Sequence, residues 1–351
     1  MFAYIGSRTT KERNARGEGI SVFQVKTDGR LVLIQVLNDL VNPSYLTINK
    51  AGNRLYTVHG DQQEASSFRI GTDGRLTFIN TVSFEGKNPV HLSLDPSEQW
   101  LLVTAHLAGK IVVLPVLNDG SLGLAHSEAT TFGPPGPHRQ EQPFAKPHFN
   151  LFDPSGQFVI VPDKGVDRTF TFRFEDGEMQ PTAVPFVQAR EGAGPRTAVF
   201  HPQENCVYIL NELDSTLTTY AFNKKNGAMT PLSIHATLEP SFTGNNRAGG
   251  IQIDRSGTRL YVSNRGNDSI ALFRLDSLGK PSFWETVDSG GQTPRFFTLS
   301  PNEKTLYSLN EDSDNIVEFS VDIHSGKLSA TGRVTHCGSP VCMVFKTSAV
   351  D

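Results

Sequence analysis

Hydrophobic positions along this chain fall in short runs, and the runs come in pairs. A Pro or small residue opens the first run, a turn follows, and a second run ends on a polar or small residue. The pair recurs from Pro43 to Gly60, Pro89 to His106, Pro147 to Lys164, Pro195 to Glu212, Ala248 to Arg265 and Pro294 to Glu311, with the same interval each time. A repeat on this scale signals a propeller or a solenoid. It also stacks equivalent positions about one axis, and at those positions stand His, Lys, Arg and Glu.

The runs read as strands. Phe158–Val161, Leu260–Ser263 and Leu306–Leu309 are rich in β-branched and aromatic residues, and turn clusters precede them at Asp153–Gly156, Asp254–Gly257 and Ser300–Glu303. A second pair of strands follows in each unit, as in Ser269–Leu275, a turn at Asp276–Gly279, and a short last strand. Asp-Gly turns at Asp28, Asp73, Asp119 and Asp176 mark the same place elsewhere. No stretch sustains a helical period. The reading is all-β, each unit a blade of four antiparallel strands. Six units begin near residues 42, 88, 146, 194, 248 and 292. Residues 2–36 form a further unit without its Pro-led first strand, and that strand returns at the far end as Ser339–Phe345. Pairing it into the N-terminal blade closes the ring and removes two open sheet edges. The prediction is a seven-bladed β-propeller, one domain over residues 1–351, with Ala349–Asp351 beyond the last apolar run and dispensable.

Composition narrows the function classes. The 23 Phe residues supply a large core. Net charge is −4 with both signs mixed and no basic block, which argues against a nucleic-acid partner. No apolar run approaches the ~18 residues of a membrane helix, and the N-terminal segment lacks the order of a secretion signal. Cys206, Cys337 and Cys342 are odd in number and irregular in spacing, so free thiols in the cytoplasm are expected. No His/Cys cluster has zinc spacing and Gly-x-Ser-x-Gly is absent, so neither a metal, another cofactor nor a serine nucleophile is expected.

The turn centres predict which polar residues meet. In an antiparallel hairpin, facing residues have a constant index sum. That puts Arg196 opposite Glu212, His148 opposite Lys164 and Arg295 opposite Glu311, all at one mouth of the central channel. Arg265 joins this ring, and His59, His91 and His106 add imidazoles from blades two and three. The Gly- and Pro-rich segment from Phe132 to Lys146 leads into His148 and should overhang the same mouth, bringing His138 and Arg139 toward a ligand. Each Arg–Glu pair alone can be a cross-strand ion pair worth up to ~1 kcal/mol. The excess of cations as a set favours an anionic small molecule. His201, in a turn at the other end of its strand, reads as structural.

At these motifs the chain resembles the seven-bladed propeller lactonases, a family that includes a bacterial type of 6-phosphogluconolactonase and the fungal 3-carboxy-cis,cis-muconate lactonizing enzyme. The motifs are Arg139-Gln140-Glu141 with Pro147-His148, Asp163 to Arg168, Gly194-Pro195-Arg196 with His201-Pro202, Asn211-Glu212-Leu213, Asn264-Arg265-Gly266 with Asp268-Ser269, and Pro294-Arg295-Phe296. The resemblance implies a metal-independent site whose catalytic residues fall on His148, Arg196, Glu212 and Arg265. Lys164, Arg295, Glu311, His91, His106 and Arg139 are the candidates for holding substrate. The chain departs from the family pattern at Lys146, Thr197, Gly249-Gly250 and Glu311, departures that bear on the sugar-phosphate substrate more than on the lactone chemistry. The expected activity is general acid–base hydrolysis of an anionic lactone, with His148 or Glu212 moving the proton. Carboxy-muconate cycloisomerisation and a non-catalytic binding scaffold are the alternatives.

Overall fold

The computed structural model describes residues 1–346; residues 347–351, and with them Ala349–Asp351, lie outside the described residues. Seven sheets of four antiparallel strands form the ring. Blade 1 runs, from the axis outward, Pro340–Lys346, Phe2–Ser7, Ile20–Val25 and Leu31–Leu37. Its innermost strand is therefore C-terminal, paired from Lys346 opposite Phe2 to Pro340 opposite Ser7. The first strands of blades 2 to 7 are Pro43–Ile48, Pro89–Leu94, Leu151–Phe152, Pro195–Phe200, Arg247–Ile253 and Pro294–Leu299.

Second strands are covered on both faces, which is why they read as unbroken apolar runs. Phe158 is 2% exposed and Val159, Ile160 and Val161 are 0% exposed. Successive side chains point to opposite faces of a strand. In Phe2–Ser7, Ala3 and Ile5 pack on Tyr307 and Leu309 of blade 7, while Tyr4 packs on Leu46 and Leu55 of blade 2. Blades are latched by a repeated hydrogen bond: the second-strand tyrosine donates to a turn carbonyl of the next blade. Tyr208 donates to Gly279 O at 2.5 Å, Tyr261 to Gly326 O at 2.9 Å, Tyr307 to Gly29 O at 3.1 Å and Tyr4 to Gly74 O at 2.9 Å. The Tyr307 latch crosses the join between the chain ends. The turn glycine is required at the Tyr4 latch: Gly74 has φ +81°, and a Cβ on it would lie 2.3 Å from the Phe2 ring.

The first hairpin of each blade departs from the predicted register. Pro195 pairs with Asn211 but Thr197 pairs with Leu210, so Arg196 is an extra residue in a β-bulge. The same shift follows Pro43, Pro89 and Pro294, and in blade 6 it falls at Gly249-Gly250. In blade 4, Pro147 bridges Asp163 and regular pairing resumes only at Leu151 opposite Ile160. Arg196 and Glu212, His148 and Lys164, and Arg295 and Glu311 are therefore not ladder partners. The bulge turns Arg196, His148 and Arg295 toward the axis, and the ladder ends one residue before Glu212, Lys164 and Glu311.

Candidate functional site

Glu212 follows the last residue of its strand, with its N–H on Gly194 O at 2.8 Å and its C=O receiving Ala248 N–H at 3.1 Å. It is 3% exposed and sits among four cations. Arg196 Nε lies 2.8 Å from Oε2, a contact that is ionic rather than a well-aligned hydrogen bond. Arg265 Nη2 is 3.3 Å from Oε2, Lys164 Nζ 3.3 Å from Oε1, and Arg247 Nη1 3.8 Å from Oε1. Burial alone would raise the Glu212 carboxyl, but Lys164, Arg265 and Arg196 outweigh it and hold the group well below the usual carboxylate range. Glu212 is ionised.

The segment before His148 does overhang this mouth. Its Glu141 accepts Lys164 Nζ at 2.8 Å and pairs with Arg247 at 2.7 Å. Gln142 anchors the segment by donating to Lys164 O and to Asp167 Oδ1, both at 2.8 Å. His138, Glu141, Arg247 and Arg265 line the outer mouth together. Arg139 is exposed and, among the described residues, makes no ion pair, so the structure does not bring it to the site.

His148 lies on the inner side of the cluster. Its backbone N–H donates to Pro162 O at 3.0 Å, and its buried Nδ1 has no partner among the described residues. Burial, and then Arg196, keep the imidazole well below its ordinary value, so it is neutral. His106 meets it edge-on, centroids 5.2 Å apart, and is itself fixed by donating Nδ1–H to Pro147 O at 2.9 Å. Burial, with Lys164 next, lowers His106 to about 3. His91 packs on Phe149 with the rings tilted by 38° and centroids 3.7 Å apart, and accepts Asn150 N–H on Nδ1. His59 is bonded at both nitrogens, to Val41 O and Ser66 Oγ, and His201 is likewise engaged in its turn, so both are structural.

Beneath the cluster a chamber of about 480 Å³ runs down the axis. Arg8, His91, His148, Arg196 and Arg295 form its inner end, and it extends to Arg255 and the turn Ser300–Glu303 at the opposite face. Arg265 lines the outer mouth and not this chamber, so Glu212 separates two cationic compartments. Glu311 lies 3.9 Å from Arg8 and 3.8 Å from Arg295. Burial, followed by Arg295, pulls the Arg8 guanidinium down to about 9, and burial, followed by Arg265, draws Arg196 well down. Arg stays charged at working pH, so that pressure is a preference for further negative charge.

Arg8, Glu141 and Arg247 complete the site and are missed by the interval pattern. Arg8 follows the second strand of blade 1 as Glu212 follows that of blade 5. In blade 1 the leading Pro is Pro340, at the other end of the chain, so no fixed interval reveals the equivalence.

The fold has known counterparts. Residues 2–345 match the family model described as "Lactonase, 7-bladed beta-propeller". A 6-phosphogluconolactonase of Bacillus subtilis (strain 168) is 33% identical over 351 residues, covering 98% of this chain and 99% of that protein. The structure of Pseudomonas aeruginosa periplasmic gluconolactonase, PpgL, superposes with a TM-score of 0.91 at 27% identity, covering 99% of each chain. A Lactobacillus plantarum protein of solved structure also superposes with a TM-score of 0.91, at 26% identity over 99% of each chain. The chain belongs to the seven-bladed β-propeller lactonase family.

Proposed function

We propose that this protein hydrolyses an anionic lactone at the inner end of the chamber, by general acid–base catalysis without a metal. The observation that carries this is a neutral His148 lining the chamber, its buried Nδ1 unpartnered among the described residues, set against buried guanidinium groups that one ionised Glu212 holds in place. His148 takes a proton from water as the water oxygen bonds to the lactone carbonyl carbon. The carbonyl π electrons move to oxygen, and Arg196 stabilises that oxyanion. The ring C–O bond then breaks, the alkoxide recovers the proton from His148, and a hydroxy acid leaves. Burial lowers His148 most and Arg196 next; a bound anion offsets the second of these and moves its basicity upward. Glu212, ionised and ringed by cations, is a poor base and acts as a positioning residue. Lys164 and Arg265 act through it, while Arg295 and Arg8 attract the substrate's negative group. The cation excess disfavours a divalent ion. Three unpaired buried thiols support a cytoplasmic location.

The experiment is hydrolysis of 6-phosphogluconolactone and of glucono-δ-lactone above the spontaneous rate, with and without EDTA. The phosphorylated lactone should be preferred and EDTA should leave the rate unchanged. No turnover of any lactone refutes the proposal, as does a rate lost to EDTA and restored by a divalent cation. A 3-carboxymuconate arm tests the cycloisomerase alternative.

A further inference from the structure

The chamber has two halves of opposite character. At the inner end, buried polar atoms lack partners among the described residues: Arg8 Nη1, Ser44 Oγ, His148 Nδ1 and Thr197 Oγ1. A buried donor without a partner is costly, and a guanidinium more so. Arg8 is 4% exposed, and Glu311, at 3.9 Å, is too distant for a hydrogen bond and is shared with Arg295. Arg8, Ser44, His148 and Thr197 all line this end of the chamber and each carries a buried, unpartnered polar atom, a setting that favours an oxygen-rich negative group.

Toward the far face the wall changes. Phe149, Val199, Ile251, Ile253, Phe296 and Leu299 form most of it. Gln252, Thr298 and Ser300 of this half are engaged with neighbouring groups, and Arg255 and Glu303 stand 3.9 Å apart at its outer rim. Gln252 donates to Thr298 Oγ1 at 3.2 Å and accepts Leu299 N–H at 2.9 Å. Thr298 Oγ1 donates to Leu299 O at 3.2 Å, and Ser300 Oγ to Asn302 Oδ1 at 2.8 Å. A polyol laid along this wall would lose water from its hydroxyls and gain few partners. An aromatic or alkyl body would lose nothing. The volume, about 480 Å³, exceeds the ~150 Å³ that holds a benzene ring.

We infer that the chamber binds an organic anion with an aromatic or branched alkyl body, carboxylate or phosphate at Arg8, Arg196 and Arg295, body against Phe149, Val199 and Ile253. The ligand enters past Arg255 and Ser300–Glu303, from the face opposite the Glu212 mouth. This names the substrate class of the proposed lactonase site and rests on that reading for the reaction, though not for binding.

Calorimetric titration of the full-length protein tests it with three probes. 3-Phenylpropionate has head and body, gluconate has the same charge on a polyol, and 3-phenyl-1-propanol has the body alone. Phenylpropionate should bind at least about tenfold more tightly than either. Arg8→Met and Ile253→Asp should each weaken it about tenfold. Gluconate binding as tightly as phenylpropionate overturns the inference, as does a phenylpropionate affinity unmoved in both folded variants. Should a variant fail to fold, the wild-type ranking of the three probes decides alone. Phenylpropionate binding without turnover of any lactone would leave this inference standing and remove the lactonase reading. Turnover of 6-phosphogluconolactone with no detectable phenylpropionate binding would do the reverse.

Discussion

Replacing Glu212 by Gln removes one charge and almost no volume, and the structure fixes what that costs. A surface carboxylate lost from an ion pair is worth ~1 kcal/mol or less. Glu212 is instead 3% exposed and is the shared partner of Arg196, Arg265, Lys164 and Arg247. Removing it leaves Glu141 as the nearby carboxylate for the cluster, holding Lys164 and Arg247 but neither Arg196 nor Arg265. Breaking a buried pair from one side costs about 3–5 kcal/mol. With an unfolding entropy of about 2.1 cal/mol/K per residue, a chain of 351 residues should melt about 4–7 °C lower. Scanning calorimetry at pH 7 reads this directly. The pH dependence adds a second check. The folded carboxyl titrates below its ordinary value of 4.5, so its contribution is complete above that pH and is lost as pH falls through the depressed value. The gap between variant and wild type should hold from neutral pH downward and close only on the acid side of 4.5. Sulfate should rescue the variant more than the wild type, because it returns an anion to the cluster. A Glu212→Gln protein that melts with the wild type and binds anions no better would refute the account of Glu212 as the keystone of the cations.

Four further outcomes are expected. Ending the chain at Gly338 removes the axial strand of blade 1, so the truncated protein should aggregate or lose cooperative melting; a melt like that of the full chain refutes the closure. His148→Gln should lower kcat by about 10²–10⁴, and in the wild type, because His148 titrates well below 6.5, kcat/KM should show no acid limb at ordinary histidine pH. Arg265→Lys keeps the charge but not the placement of Nη2, which meets both Glu212 at 3.3 Å and Ala248 O at 2.7 Å, and should cost about tenfold in kcat/KM; an unchanged value removes Arg265 from the site. Asp163, raised by burial from 3.8 to about 6, favours folding when protonated, and that contribution is lost as pH rises from 3.8 through about 6. Asp163→Asn keeps an acceptor for the Lys146 and Gly165 N–H groups, so its melting temperature should gain on the wild type across that interval.

The ring was legible because its signals are local and repeated: a leading Pro, a strand-turn-strand, an Asp-Gly turn. The split blade was legible for the same reason, since Ser339–Phe345 carries the pattern missing before Phe2. Glu212, Arg196, Arg265, Lys164 and His148 converge as the spacing implied, and the Phe132–Lys146 segment overhangs them. What the pattern did not carry was register. The bulge inserts one residue after the leading Pro, and an index-sum argument has no term for an inserted residue. Arg139 and Glu141, two positions apart on a loop, were indistinguishable until the loop had a conformation; Glu141 reaches Lys164 and Arg139 faces solvent. Neither did the sequence show that Glu212 divides the axis into two compartments, because that depends on which side of one carboxylate each guanidinium approaches.

The bulge is also what makes a repeated fold capable of asymmetric chemistry. A regular ladder would place the residue after each leading Pro against its neighbour, its side chain committed to the faces between blades. Displacing the ladder by one residue frees that side chain for the axis, and it does so in blades whose side chains there differ: Ser44, Val90, Arg196 and Arg295. The backbone is nearly sevenfold while the axis is not. Arg196 from blade 5 and Arg295 from blade 7 meet Arg8 from blade 1 and His148 from blade 4, and small or apolar residues fill the remaining sector at Ser44 and Val90. The cations are thereby gathered to one side of the chamber while its depth stays apolar. A site built this way can change its substrate by substitution at bulge positions, without disturbing the strands that close the ring.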